Sequence, residues 1–296
     1  MANSHGSHTD KITYMARAKI NLDLLITGRR ADGYHLLNSL VVFADYGDEI
    51  SVKPAQNITL NISGPFAIKL DAQEDNLVLK AARLLRDKFD IQAGADIELV
   101  KNLPVSSGIG GGSADAAATL HALLNLWQIS CNASVLDELT LSLGADVPVC
   151  MASTTMLMTG VGEILRPVTL KFPLFLLLVN PGVSVSTGEI FKARADRKIS
   201  FSPSRTLPDD IRTVDQLKDI LDLTRNDLAY DASLLEPGIG KVLEYIGKKD
   251  HCIHAAMSGS GATCFGIFSD FEAAKNQADI IGRDFPDWWV RAVRVR

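Results

Sequence analysis

The longest apolar run in this chain, Leu174 to Val179, falls far short of the ~18 residues that span a bilayer; it reads as a buried strand. Nor is a secretory leader expected. The first dozen residues, MANSHGSHTDKI, have no apolar stretch and read as a disordered extension or tag over 1–14, with Met15 as a natural start and His5 and His8 as bystanders. Cysteine is scarce and scattered. Cys131, Cys150, Cys252 and Cys264 form no C-x-x-C pair and have no histidine at ligand spacing, which excludes a zinc module or disulfide scaffold and fits a reducing, cytoplasmic setting. Basic charge is also lacking: a net charge of -5 leaves no electrostatic footprint for nucleic acid, though it allows one small phosphorylated ligand. Internal repeats and low-complexity tracts are absent. So are the two most familiar nucleotide motifs. No lysine follows the glycines at 108–112, and a GxGxxG beginning at Gly108 would need glycine where Ser113 stands.

What is present is a globular composition, 47% apolar and 22% charged over 296 residues, enough for one large or two ordinary domains. The chain is organised around Leu103 to Trp127, LPVSSGIGGGSADAAATLHALLNLW. Gly108, Gly110, Gly111 and Gly112 let a backbone wrap closely around a ligand. Ser113 suits a helix N-cap, Asp115 a first-turn charge, and Leu120, Leu123, Leu124 and Trp127 recur at helical spacing. Free N–H groups and the helix dipole would converge there on an anion such as phosphate. The alternative is a glycine turn ahead of an ordinary core helix.

Around this stretch the remaining chain alternates strands and helices. Ala18, Ile20, Leu22 and Leu24 alternate with Lys19, Asn21 and Asp23, so Lys19 and Asn21 share a strand face, either a solvent face or a cleft wall. Gly28 to Gly33 reads as a loop, and Tyr34-His35 after it either meet a base or start a packed strand. A turn is expected at Tyr46-Gly47-Asp48, a helix capped by Asp75 or Asn76, and a strand over Ile97 to Leu103. Pro148 should stop the helix ending near Gly144, leaving Asp146 on a constrained turn as either a capping group or a placed acid or base. Arg166-Pro167 marks a domain boundary, dividing the chain into 15–165 and 166–296. In the second part a polar, Pro-rich surface loop covers 195–210, and strands at Ile253–Met257 and Thr263–Phe268 flank the turn Ser258-Gly259-Ser260-Gly261 as a hairpin. Helices are expected at Val214–Leu223, Gly238–Lys248 and Phe271–Gly282, giving an α+β fold.

Taken together, Pro104–Ala117 (PVSSGIGGGSADAA) and Ser258–Phe265 (SGSGATCF) are similar to the phosphate loop and third motif of the GHMP small-molecule kinases. Ala18–Leu22, Arg30–His35, Leu143–Pro148, and Asn180-Pro181-Gly182 with Thr187 and Phe191 extend the resemblance, in family order, over nearly the whole chain beyond Met15. Ile109 stands where leucine is usual, Ser106-Ser107 replace small or glycine residues, and Ala114 takes a place often held by serine. The resemblance implies a ribosomal-protein-S5-domain-2-like first domain and a ferredoxin-like α/β sandwich as the second. It implies that Asp146 takes a proton from a substrate hydroxyl with Lys19 beside it. Pro104, Ser107, Gly108, Ile109, Gly110, Gly111, Gly112 and Ser113 would hold ATP, with Mg2+ on its phosphates and no protein metal ligand assigned. Asn21, Thr187, Gly259, Ser260 and Gly261 would bind the acceptor, Tyr34 and Phe191 would sandwich a cytosine, and His35 would read its edge. The implied reaction is ATP-dependent phosphorylation of the 2-hydroxyl of a cytidine-diphosphate-linked methylerythritol, by a monomer or weak dimer. Another GHMP kinase, of mevalonate or homoserine type, a non-catalytic sensor on the same fold, and an RNA-binding module are the alternatives.

Overall fold

A computed structural model describes residues 11–70 and 76–296, so the expected extension is seen only from Lys11 onward. Ile12, Thr13 and Tyr14 are not disordered: they belong to β1 (Ile12–Asn21), where they pair with Val52, Ser51 and Ile50. Residues 1–10, His5 and His8 among them, and Asp75 lie outside the described residues.

The first half is built on one long strand. β2 (Leu25–Arg29) leads into β3 (His35–Ala55), and β1 and β2 share one edge of it. The turn expected at Tyr46-Gly47-Asp48 does not occur, because β3 runs straight through it. Gly47 is there for close approach: a Cβ on it would lie 2.1 Å from the Ala16 carbonyl oxygen. β4 (Ile58–Ser63) runs parallel to β5 (Gly94–Val100), which pairs with the later half of β3. The strand expected to reach Leu103 ends at Val100, since Asn102 and Leu103 turn to give their N–H groups to Asp48. Helices α1 (Leu77–Lys88), capped by Asn76, α2 (Gly111–Leu126), α3 (Ala133–Leu143) and α4 (Val147–Ala152) cover this sheet. β6 (Met156–Gly160) and β7 (Ile164–Pro167) complete it. Pro148 starts α4 rather than merely stopping α3, since a first-turn proline has no intrahelical N–H to lose.

A short parallel pair, β8 (Thr169–Leu170) with β10 (Asp210–Ile211), flanks the second sheet. That sheet is antiparallel, ordered β11 (Cys252–Met257), β12 (Cys264–Phe268), β9 (Phe175–Asn180), β13 (Trp289–Arg294). β11 and β12 form the expected hairpin. With α5 (Thr187–Asp196), α6 (Val214–Asp222), α7 (Ala229–Leu235), α8 (Pro237–Gly247) and α9 (Phe271–Asp284), the sheet has the β-α-β-β-α-β order of a ferredoxin-like sandwich.

Leu176 and Leu178 of β9 pack with Ile20, Leu22, Leu40 and Val42 of the first sheet, whereas Leu177 and Val179 face α8 and α9. Both faces of that apolar run are buried, which is why it does not alternate with polar residues. The segment 195–210 is more than a surface loop. Ser202 donates its N–H to Ile26 O at 2.8 Å, and Arg205 pairs with buried Asp23, so it straps the two halves together. Among the described residues no helix is long and apolar enough to cross a membrane.

Candidate active site

β1 and β3 pair regularly up to Arg17 and resume, shifted, at Lys19. A bulge of this kind re-aims the side chains after it. Ala18, Ile20 and Leu22 go into the core between the sheets, while Lys19 and Asn21 point to the other side, beneath the glycine loop. That side is not solvent: Lys19 and Asn21 are both buried. Lys19 Nζ lies 2.7 Å from Asp146 Oδ2. Asp146 stands at the N-cap position of α4, yet its side chain caps nothing. The carboxylate is turned to the ammonium, with 38% of it open to the cleft against 4% for Lys19. An acid or base must be reachable by its substrate, and this one is.

Directly above, the Lys19 N–H is bonded to Ile109 O at 2.9 Å, which ties the glycine loop to β1. Gly110 is the N-cap of α2, at φ +66 and without a capping side chain. Ser113 is therefore not the cap but lies inside the first turn, where the N–H groups of Gly111, Gly112 and Ser113 have no intrahelical acceptor. Asp115 is not a helix-start charge either. It is buried one turn further on, where its carboxylate meets Lys101 Nζ at 2.5 Å, as does that of Asp48. Burial pushes the Asp115 carboxyl up to about 8, with the charge of Asp48 adding to the effect against the pull of Lys101. The Lys101 ammonium is raised: burial alone would lower it, but Asp115 and Asp48 outweigh that penalty.

The hairpin turn of the second sheet closes the loop from the other side. Gly108 (φ +73) and Gly259 (φ +55) approach so tightly that a Cβ on Gly108 would lie 2.4 Å from Ser258 O, and one on Gly259 2.6 Å from Gly108 O. Ser258 Oγ donates to Gly108 O at 2.9 Å and accepts the Asn21 N–H at 3.1 Å. Thr263 N–H bonds Ser107 O, and Ser107 Oγ donates to Pro104 O. Both halves of the chain thus build one site.

The result is a cleft of about 1190 Å³, roomy for one drug-sized ligand and enough for two substrates side by side. Lys19, Asp146, Pro104, Ser107, Gly108 and Gly110 through Ser113 line it. Asn21 and Gly259 line it beside Lys19 and Gly108, and Tyr34, His35, Thr187, Phe191 and Ser260 line it further along. Ile109 and Gly261 do not: Ile109 is packed in the inter-sheet core, and Gly261 backs onto Met257. His35 stacks on Phe191, with centroids 4.6 Å apart, while Tyr34 stands 62% exposed at the rim. Burial, then the charges of Arg29 and Arg194, lowers the His35 imidazole, favouring its neutral form. Thr187 Oγ1 and Ser260 Oγ are 2.8 Å apart, joining α5 to the hairpin turn. Sequence reasoning missed Lys101, Asp48 and Ser258. Lys101 and Asp48 look like ordinary charges at strand ends, whereas Ser258 was signalled by its place in the glycine turn.

Known proteins resemble the chain along its length. Residues 76–154 match the GHMP kinases N terminal domain and residues 211–287 the GHMP kinases C terminal domain. A 4-diphosphocytidyl-2-C-methyl-D-erythritol kinase of Cereibacter sphaeroides is 49% identical over 95% of this chain and 98% of its own. One from Paramagnetospirillum magneticum is 46% identical over 93% and 95%. A crystal structure of 4-(cytidine 5'-diphospho)-2C-methyl-D-erythritol kinase superposes with a TM-score of 0.76 at 30% identity, covering 96% of this chain and 99% of that one. A homoserine kinase from Cytophaga hutchinsonii shares the fold, with a TM-score of 0.64 at 19% identity over 99% and 98% of the two chains. With both domain matches in order and near-half identity from end to end, the chain belongs to the GHMP kinases.

Proposed function

We propose that this chain transfers the γ-phosphoryl group of ATP to the 2-hydroxyl of 4-diphosphocytidyl-2-C-methyl-D-erythritol, giving the 2-phosphate and ADP for isoprenoid synthesis. The observation that carries it is the Lys19–Asp146 pair, 2.7 Å apart beside the first turn of α2, in a chain whose full-length relatives are kinases of this name.

The chemistry follows from the placement. Asp146 Oδ accepts the proton of the attacking hydroxyl, a contribution of ~10²–10⁴-fold for a well-placed base. The Lys19 ammonium faces the same point and stabilises the charge that grows on the alkoxide and the phosphoryl oxygens. The N–H groups of Gly111, Gly112 and Ser113 cradle the nucleotide phosphates at the positive end of the helix dipole. The residues suit a metal carried on the nucleotide: Mg2+ needs one or two protein oxygens beside phosphates, and among the described residues no cluster of three ligating side chains forms a dedicated cage. Ser113, half-buried on the first turn, would hold it, and the ion would neutralise the β and γ oxygens.

At the far end, Tyr34 and Phe191 offer aromatic faces for the cytosine, and a neutral His35 can both donate to and accept from its pairing edge. Asn21, Thr187 and the Gly259-Ser260 turn bind the methylerythritol arm. ADP release with the cytidyl acceptor tests this reading directly. Turnover with mevalonate or homoserine instead, and none with the cytidyl compound, would reassign the enzyme within its family.

A further inference from the structure

Asn21 carries an unusual asymmetry. Its side chain is buried in the cleft wall, Nδ2 donates to Ser39 Oγ at 2.8 Å, and Oδ1 has no hydrogen-bond partner. An amide has two ends of similar size, so something must decide which end faces the cleft. Ser39 does so by bookkeeping of a single proton. Its hydroxyl, fully buried on β3, donates at 2.5 Å to the backbone oxygen of Asp23, an atom that can only accept. With that proton committed, Ser39 Oγ can only accept from Asn21, and the atom facing it must be the amide nitrogen. Asp23 in turn is held by the Leu40 N–H at 2.8 Å and by the Arg205 guanidinium. The chain Arg205–Asp23–Ser39–Asn21 therefore leaves one unpartnered carbonyl oxygen buried in the cleft wall.

We propose that Ser39 is a positioning residue that sets the Asn21 amide as a hydrogen-bond acceptor for a hydroxyl of the polyol substrate. The inference rests on the function proposed above and adds that the site selects a donor at this point. Ser39 itself does not touch the substrate; its effect passes through Asn21. Removing the hydroxyl frees the amide to turn over, and a substrate hydroxyl then meets Nδ2, whose hydrogens it can serve only as an acceptor.

A double-mutant cycle separates this role from simple packing. Ser39→Ala should raise the KM for the cytidyl substrate about three- to tenfold, the range of one neutral hydrogen bond, with the KM for ATP unchanged. Asn21→Ala should raise it at least as much, and adding Ser39→Ala to Asn21→Ala should change nothing further. Ser39→Thr, which keeps the hydroxyl, should restore wild-type values. Equal losses from Ser39→Ala in both backgrounds, a parallel rise in the KM for ATP, or failure of Ser39→Thr to rescue would overturn the proposal. Should Ser39→Ala not fold, Ser39→Cys takes its place in the cycle. A wild type that ignores the cytidyl substrate but phosphorylates homoserine or mevalonate overturns the function instead, and the same cycle run on that acceptor still decides the role of Ser39.

Discussion

Asp146 and Asp115 are both cleft carboxyl groups, and their surroundings give them different work. Asp146 has one oxygen against Lys19 and an open side toward substrate, so Asp146→Asn should lower kcat by ~10²–10⁴-fold. ATP binding, measured by calorimetry, should be nearly unchanged; an equal loss of binding would mean a structural role. Asp115 is sealed beneath the loop with Lys101 and Asp48, and burial holds its carboxyl near 8. The folded chain then keeps a proton that the unfolded chain releases above ~4, so this group favours folding at low pH and loses that advantage as pH rises toward 8. The melting temperature of Asp115→Asn should accordingly fall less between pH 6 and 8 than that of the wild type. At the rim, Tyr34→Ala should raise the KM for the cytidyl substrate and leave the KM for ATP in place; a matched rise in both would remove the proposed cytosine contact.

The element that matters most is the hairpin turn between β11 and β12, which reaches across to the loop before α2. Its shape is fixed by a residue that no motif pointed to. Asn226 Nδ2 donates to both Met257 O and Gly259 O, and its Oδ1 accepts the Leu228 N–H, so all three contacts are satisfied in a buried setting. Asn226→Ala strands two buried carbonyls, at a cost of ~1–3 kcal/mol. Thermal denaturation should show it as a lower melting temperature, and kinetics should show higher KM values for both substrates, because the turn abuts Gly108 as well as the acceptor end. A melting temperature within error of wild type would mean that water replaces the amide. Gly259→Ala should be worse, since the new Cβ would meet Gly108 O at 2.6 Å on a left-handed backbone.

Across the whole molecule the two sheets share one apolar layer rather than a wet interface. Ile20, Leu22, Leu40 and Val42 from one side interleave with Leu176, Leu178, Phe265 and Ile267 from the other, and the 195–210 strap crosses between them through Ser202 and Arg205. Exposing that layer would be costly for either half alone. Scanning calorimetry should therefore show one cooperative unfolding transition. Two resolved peaks would mean that the halves melt independently.

Local pattern carried much of this. The strand at β1, the glycine loop feeding α2, the β11–β12 hairpin and helices α6, α8 and α9 were legible, because period, caps and breakers act over a few residues, whereas α7 was not expected. The motif order carried the family and the pairing of Lys19 with Asp146. Other features were decided only by folding. A three-residue pattern cannot tell a turn at Gly47 from a strand crossing, since the reason lies in the Ala16 carbonyl of another strand. Alternation marked Lys19 and Asn21 as sharing a face, but whether that face met water depended on helix α2 and the hairpin turn covering it. The burial of Asp115 with Lys101 and Asp48, the grip of Asn226 and the proton ledger of Ser39 arise from groups far apart in the chain. Sequence spacing determined which chemistry was available, and tertiary contact decided which atoms face the ligand, because burial and hydrogen-bond direction depend on neighbours that folding supplies.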